Sequence, residues 1–153
     1  MSASGYAITE LLPHRPPMIL LDRVEDFAAD SLTASVTITP SSLFCAGGSV
    51  PSHIALEYMA QACGAHVGMI ALEKGEPVRI GFVLGTRDFV SMVRGFDVGE
   101  RLEVTATLVF NDVQMGAYDC RIAIGDRLVA QARLSVYQPE RAGETMMSES
   151  PAS

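Results

Sequence analysis

PSHIALEYMAQACGAHVGMIAL, residues 51–72, decides how this chain folds. Glu57 is its only charged residue, and every other member is apolar, small or neutral polar. Pro51 with Ser49 or Ser52 supplies helix-start chemistry. Lys74-Gly75 followed by Pro77 supplies the stop near Leu72. A helix that is apolar nearly all round has no face to offer water, so other structure must wrap it. Gly64 and Gly68 weaken it intrinsically and let another backbone come close. A carboxylate in such a helix is costly to desolvate, so Glu57 needs either a buried partner or a chemical task.

Outward from the helix the pattern changes period. Before it, YAITELL (residues 6–12) predicts a short amphipathic helix closed by Pro13. MILLDRV (18–24) is short and apolar enough for a strand, and SLTASVTIT (31–39) alternates apolar and hydroxyl residues as a half-buried strand does. Residues 40–51 read as a loop. After the helix, strands are expected over 79–90, 101–110, 117–124 and 127–137. Leu102, Val104, Ala106, Leu108 and Phe110 are expected inward on the second, and Leu128, Ala130, Ala132, Leu134 and Val136 on the last. Gly125-Asp126 is a two-residue hairpin signal between the final pair. The order of strands, one long helix and then antiparallel strands predicts an α+β fold, a sheet curled around one central helix. We expect a single domain over residues 1–138 and a disordered tail over 139–153, where Pro, Glu, Ser, Gly and Ala dominate.

Composition narrows the function classes. The chain has 153 residues, 48% hydrophobic and 19% charged, which is globular and slightly more apolar than a lone monomer needs. That excess points to a subunit interface. With 11 basic and 18 acidic side chains the net charge is −7, and no Lys/Arg cluster offers a phosphate surface, so nucleic acid is excluded as a partner. Cys45, Cys63 and Cys120 have neither metal spacing nor an even count and read as reduced thiols. No metal set can be assembled from them and the dispersed His residues. No phosphate loop or dinucleotide fingerprint is present, so no cofactor is expected. The N-terminus has no signal-peptide pattern and no segment reads as a membrane span, which predicts a cytoplasmic protein.

Two blocks then carry a family resemblance. LLPHRPPMILLDRV (11–24) is similar to the L-P-H-R-x-P-x-x-x-x-D-R-V opening of the hotdog-fold beta-hydroxyacyl-acyl-carrier-protein dehydratases. Pro51 with EYMAQ (57–61) resembles their P-G-x-x-x-x-E-x-x-A-Q at the start of the central helix. GFVLG (81–85) and DVGERLEV (97–104) are weaker echoes. The resemblance implies the hotdog fold, with active sites between subunits of a homodimer, a hotdog heterodimer or a higher assembly. It also implies a carrier-protein or CoA thioester as substrate, and Glu57 as the catalytic acid. It assigns the thioester-carbonyl donor to the backbone amide of Ser52. One feature departs: the family's G-H-F-P-G loop bears a catalytic histidine, whereas LFCAGGSVP (43–51) is shorter and has none. That short form resembles the divergent dehydratase-like proteins of aryl polyene biosynthesis.

Dehydration of a 3-hydroxyacyl thioester needs a base for the C2 proton, an acid for the departing hydroxyl and donors for the thioester oxygen. Desolvation favours the protonated form of Glu57, the form an acid needs. His53, four residues earlier, shares its helix face and is the candidate base; a surface or capping histidine is the plainer alternative. Gln61, one turn after Glu57, is placed to orient its carboxyl. For Glu57 the competing reading is an ion pair with Arg79 or Arg87. His14 reads as architectural and His66 as a core histidine. Met59, Met69, Phe82 and Phe89 suit either a core or an acyl-tunnel lining. Two other functions fit the same residues: a hotdog thioesterase in which Glu57 activates water or attacks the thioester, and a non-catalytic subunit that pairs with an active one.

Overall fold

In the computed structural model, residues 7–12, 18–77, 82–112 and 115–137 are described. The inferences on His14, Arg79, the Phe82 side chain and the 139–153 tail lie outside that set.

The apolar stretch forms the central helix, α2 (Ala55–Glu73), entered through a single 3-10 turn at Ser52–Ile54. Met59, Ala62, Cys63, Ala65 and Met69 are sealed from solvent along it. Before it lie α1 (Ile8–Leu11), β1 (Arg23–Ala28), β2 (Ser31–Thr37) and β3 (Ser49–Pro51). After it come β4 (Phe82–Ser91), β5 (Gly95–Asp97), β6 (Arg101–Asn111), β7 (Met115–Ile124) and β8 (Arg127–Tyr137). Six strands build one antiparallel sheet in the order β1-β2-β6-β7-β8-β4, and β3 pairs with β5 in a two-stranded ribbon. α2 packs on β2, β6, β7 and β8, so the sheet wraps the helix as its all-round apolarity requires. Leu32, Ala34, Val36, Leu102, Val104, Ala106, Ile122 and Leu134 form the sheet side of that core.

α1 lies on α2 at the two glycines. A Cβ on Gly68 would collide with the Leu11 backbone carbonyl, and one on Gly64 would stand 3.1 Å from Leu12 Cδ2. The close approach expected at these positions is therefore made by α1.

Several expectations are corrected. Residues 18–22 are not a strand: β1 starts at Arg23, and Met18 and Leu20 are held by the Gln61 side chain of α2, with Asp22 N–H bonded to the Ser35 carbonyl of β2. Residues 49–51, read as loop, pair with residues 95–97. Phe110 is 59% exposed and Leu128 36% exposed, not inward. At Leu128 the cause is the extra residue Val129 opposite Ile122 and Ala123, which turns the strand's side chains to the opposite face, whereas Phe110 lies past the register shift after Leu108, where Val109 is exposed as well. Val129 is buried next to Leu128.

Candidate active site at the start of the central helix

The chemistry-bearing residues gather where the chain enters α2. Gln61 is fully buried, 0% exposed. Its Oε1 accepts the Leu20 N–H at 2.8 Å, and its Nε2 donates to the Met18 carbonyl at 2.7 Å. Those two bonds fix which end of the amide is which, so Nε2 presents an N–H to Glu57 Oε2 at 3.1 Å. The carboxyl is thus aimed by a side chain that is itself anchored to the opening segment. Glu57 is half-buried, not sealed, which leaves it reachable from solvent. Arg87, one of the two proposed ion-pair partners, is exposed on β4.

His53 sits in the 3-10 turn and is exposed, one turn before Glu57. The Ser52 amide is not available as expected: its N–H donates to the Arg94 carbonyl at 3.0 Å, closing the β3-β5 ribbon against the helix entry. The next amide, of His53, belongs to the first turn, whose N–H groups have no intrahelical acceptor and carry the positive end of the helix dipole.

His66 is a satisfied core histidine. Its Nδ1 lies 2.9 Å from the Tyr118 hydroxyl, and its Nε2 lies 3.3 and 3.1 Å from the Ala28 and Ala29 carbonyls. Carbonyls only accept, so Nε2 carries the proton and the Tyr118 hydroxyl donates to Nδ1. Burial holds the His66 pKa below the ordinary value of 6.5, opposed in part by the two carbonyls and Asp30. The Cys63 and Cys120 sulfurs touch at 3.5 Å as buried thiols. Met59 and Met69 are core, and Phe89 packs against it half-buried.

Sequence reasoning missed Tyr58. It is 2% exposed and, with Ile19, Leu20, Asp22, Val36, Thr37 and Leu43, walls a cavity of about 360 Å³ beside the helix entry. Its position directly after Glu57, on a helix certain to be buried, was the available signal. A wider depression of about 520 Å³ lies on the outer sheet face among Asp88, Asp119, Arg121 and Arg133, away from the helix entry and built on polar side chains that pair with each other, as Arg133 Nε does with Asp119 Oδ1 at 2.7 Å. Among the described residues no group of His, Cys, Asp and Glu could hold a metal, and no helix is long and apolar enough to cross a membrane.

A family model described as ApeP dehydratase matches residues 6–148. The chain belongs to the ApeP-like dehydratase family. This ApeP-like chain is similar to the 3-hydroxyacyl-[acyl-carrier-protein] dehydratase FabZ of Chlamydia pneumoniae, 32% identical over 84% of this chain and 87% of that protein. FabZ of Streptococcus thermophilus is 29% identical over 88% of this chain and 96% of that protein. Among solved structures, the dehydratase heterocomplex ApeI:P from Xenorhabdus doucetiae superposes with a TM-score of 0.86 at 28% identity, covering 93% of this chain and 96% of that one. A thioesterase from Streptococcus pneumoniae, solved with coenzyme A, shares the fold at a TM-score of 0.60 and 15% identity, covering 75% of this chain and 83% of that one. The ApeP-like chain is a hotdog protein of α+β class, and its dehydratase relatives resemble it more closely than the thioesterases do.

Proposed function

We propose that this chain provides the Glu57 side of a dehydratase site that removes water from a 3-hydroxyacyl thioester carried on an acyl-carrier protein, giving the 2-enoyl thioester. The observation that carries the reading is the fixed line from Met18 and Leu20 through Gln61 to Glu57, which holds one carboxyl at the helix entry. Glu57 gives its proton to the leaving 3-hydroxyl. Gln61 Nε2 donates to Oε2 and so orients the carboxyl. The His53 amide, in place of that of Ser52, binds the thioester oxygen. A base must take the C2 proton, and His53 is the histidine this chain offers at the site, one turn away and exposed.

A second reading places the base on another subunit. The loop over 43–51 has no histidine, and a structural relative is a dehydratase heterocomplex. Here the chain pairs with a second hotdog subunit in the cytoplasm, and the partner's loop supplies the histidine.

Incubating the purified protein with 3-hydroxyacyl-carrier protein, and following enoyl thioester and free acid by mass spectrometry, tests both. Enoyl product from the chain alone that is lost in His53→Ala supports the first. Enoyl product only after a histidine-bearing hotdog subunit is added supports the second. Free acid without enoyl product would make the chain a thioesterase, and no product under either condition would make it a non-catalytic subunit.

A further inference from the structure

Cys63 and Cys120 meet inside the core, and the proposed chemistry uses neither. Cys63 lies on α2 and Cys120 on β7, 57 positions away in the chain, and their sulfurs stand 3.5 Å apart. Both are free thiols, Cys63 at 0% and Cys120 at 1% exposure. A buried cysteine by itself is a small apolar side chain. Two in contact are also the halves of a disulfide.

The packing around them is built from small residues. Cys120 is flanked across the ladder by Ala106 of β6 and Ala132 of β8, and Cys63 follows Ala62 on the helix. All three alanines are buried, and with no bulk beyond Cβ they let α2 settle close to the sheet along this row. One turn further on, His66 of the same helix is bonded through Nδ1 to the Tyr118 hydroxyl of the same strand at 2.9 Å, which holds the two elements in register beside the thiols. A disulfide places its sulfurs about 2.05 Å apart, so the pair has about 1.5 Å to close from its 3.5 Å contact. Burial, with the bond to Cys120, pushes the Cys63 thiol well above its ordinary pKa, so the pair rests as neutral thiols in the closed core. Oxidation then waits on a local opening of α2 from β7 that admits an oxidant little larger than water.

We propose that Cys63 and Cys120 form a redox-responsive staple: hydrogen peroxide converts them to a disulfide that ties the helix carrying Glu57 to β7 and stabilises the fold under oxidising conditions. In the first step one cysteine sulfur, its proton given up, attacks a peroxide oxygen and the O–O bond breaks. The departing hydroxide takes that proton and leaves as water, and the cysteine becomes a sulfenic acid. The other cysteine's sulfur then attacks the sulfenic sulfur, the S–O bond breaks, and the second thiol's proton leaves with the hydroxide as a second water. Two electrons pass from the two thiols to one peroxide. The new bond joins residues far apart in sequence, so it restricts the unfolded chain far more than the folded one. This inference does not depend on the dehydratase reading.

The test treats the full chain with hydrogen peroxide while its circular dichroism stays native, quenches free thiols, and maps the non-reduced digest by tandem mass spectrometry. The expected result is a peptide pair joined through Cys63 and Cys120 that dithiothreitol separates, with a melting temperature at least about 5 °C above that of the reduced protein. Cys63→Ala and Cys120→Ala should each abolish both the linked peptide and the peroxide-induced rise. The linked peptide in wild type decides the matter even where a variant fails to fold. Cys63 and Cys120 recovered as free thiols after Cys45 has been oxidised, a link made to Cys45 instead, or a linked form that melts no higher than the reduced one overturns the proposal.

Discussion

Gln61 serves two backbone groups and one carboxyl from a fully buried position, and its replacement separates anchoring from chemistry. Gln61→Leu leaves the Met18 carbonyl and the Leu20 N–H without their partner. A loss of about 2 kcal/mol or more follows, read by urea unfolding; a change under about 0.5 kcal/mol would show that the 18–20 segment is held by something else. His66 gives the second prediction at this scale. Its folded pKa is lowered, so the unfolded chain binds the proton first as pH falls. Its contribution to stability is therefore complete above about pH 6.5 and is lost as pH drops toward the folded value. Unfolding free energy measured from pH 7 to pH 5 should fall more steeply for wild type than for His66→Gln; identical slopes would contradict the neutral, Tyr118-bonded state. The spacing of Glu57 and Gln61 was legible in the sequence because one helical turn separates them. The engagement of the Ser52 amide was not, because its acceptor, Arg94, is remote in the chain and reaches it only through the β3-β5 ribbon.

At the scale of elements, the helix was the most legible part, since nineteen residues from Ala55 to Glu73 carry a continuous apolar signal with clear ends. The strands were legible where alternation is regular, as in β2, and misread where a bulge interrupts it, as at Phe110 and Leu128. Two- and three-residue pairings such as β3 with β5 leave too short a pattern to read. The α1-α2 contact supplies the third prediction. Gly68→Ala drives a methyl into the backbone carbonyl of Leu11, which cannot yield without moving α1, while at Gly64 the obstacle is the flexible end of Leu12. We expect Gly68→Ala to cost about 1–3 kcal/mol. Gly64→Ala should be close to neutral, because helix propensity gained there offsets mild crowding. Equal effects of the two substitutions on the melting temperature would contradict the packing of α1 on this face.

For the whole molecule, the helix is wrapped by the sheet, yet β4 lies at the sheet's edge with Val83 and Val90 exposed on it. A ten-residue edge strand of this kind invites pairing with another chain. Native mass spectrometry at micromolar concentration should show a dimer or larger assembly, either of this chain or with a second hotdog subunit; a stable monomer under both conditions would contradict it. The apolar excess of the composition points to an interface, but the identity of the partner is not written in one chain's pattern. The central claim remains the role of Glu57, and it is tested most directly by comparing wild type with Glu57→Gln in the formation of enoyl-carrier protein from its 3-hydroxyacyl precursor, under whichever subunit condition supports turnover. Loss of general-acid catalysis predicts a fall of about 10²–10⁴-fold in rate at unchanged melting temperature, and full turnover by Glu57→Gln would contradict it.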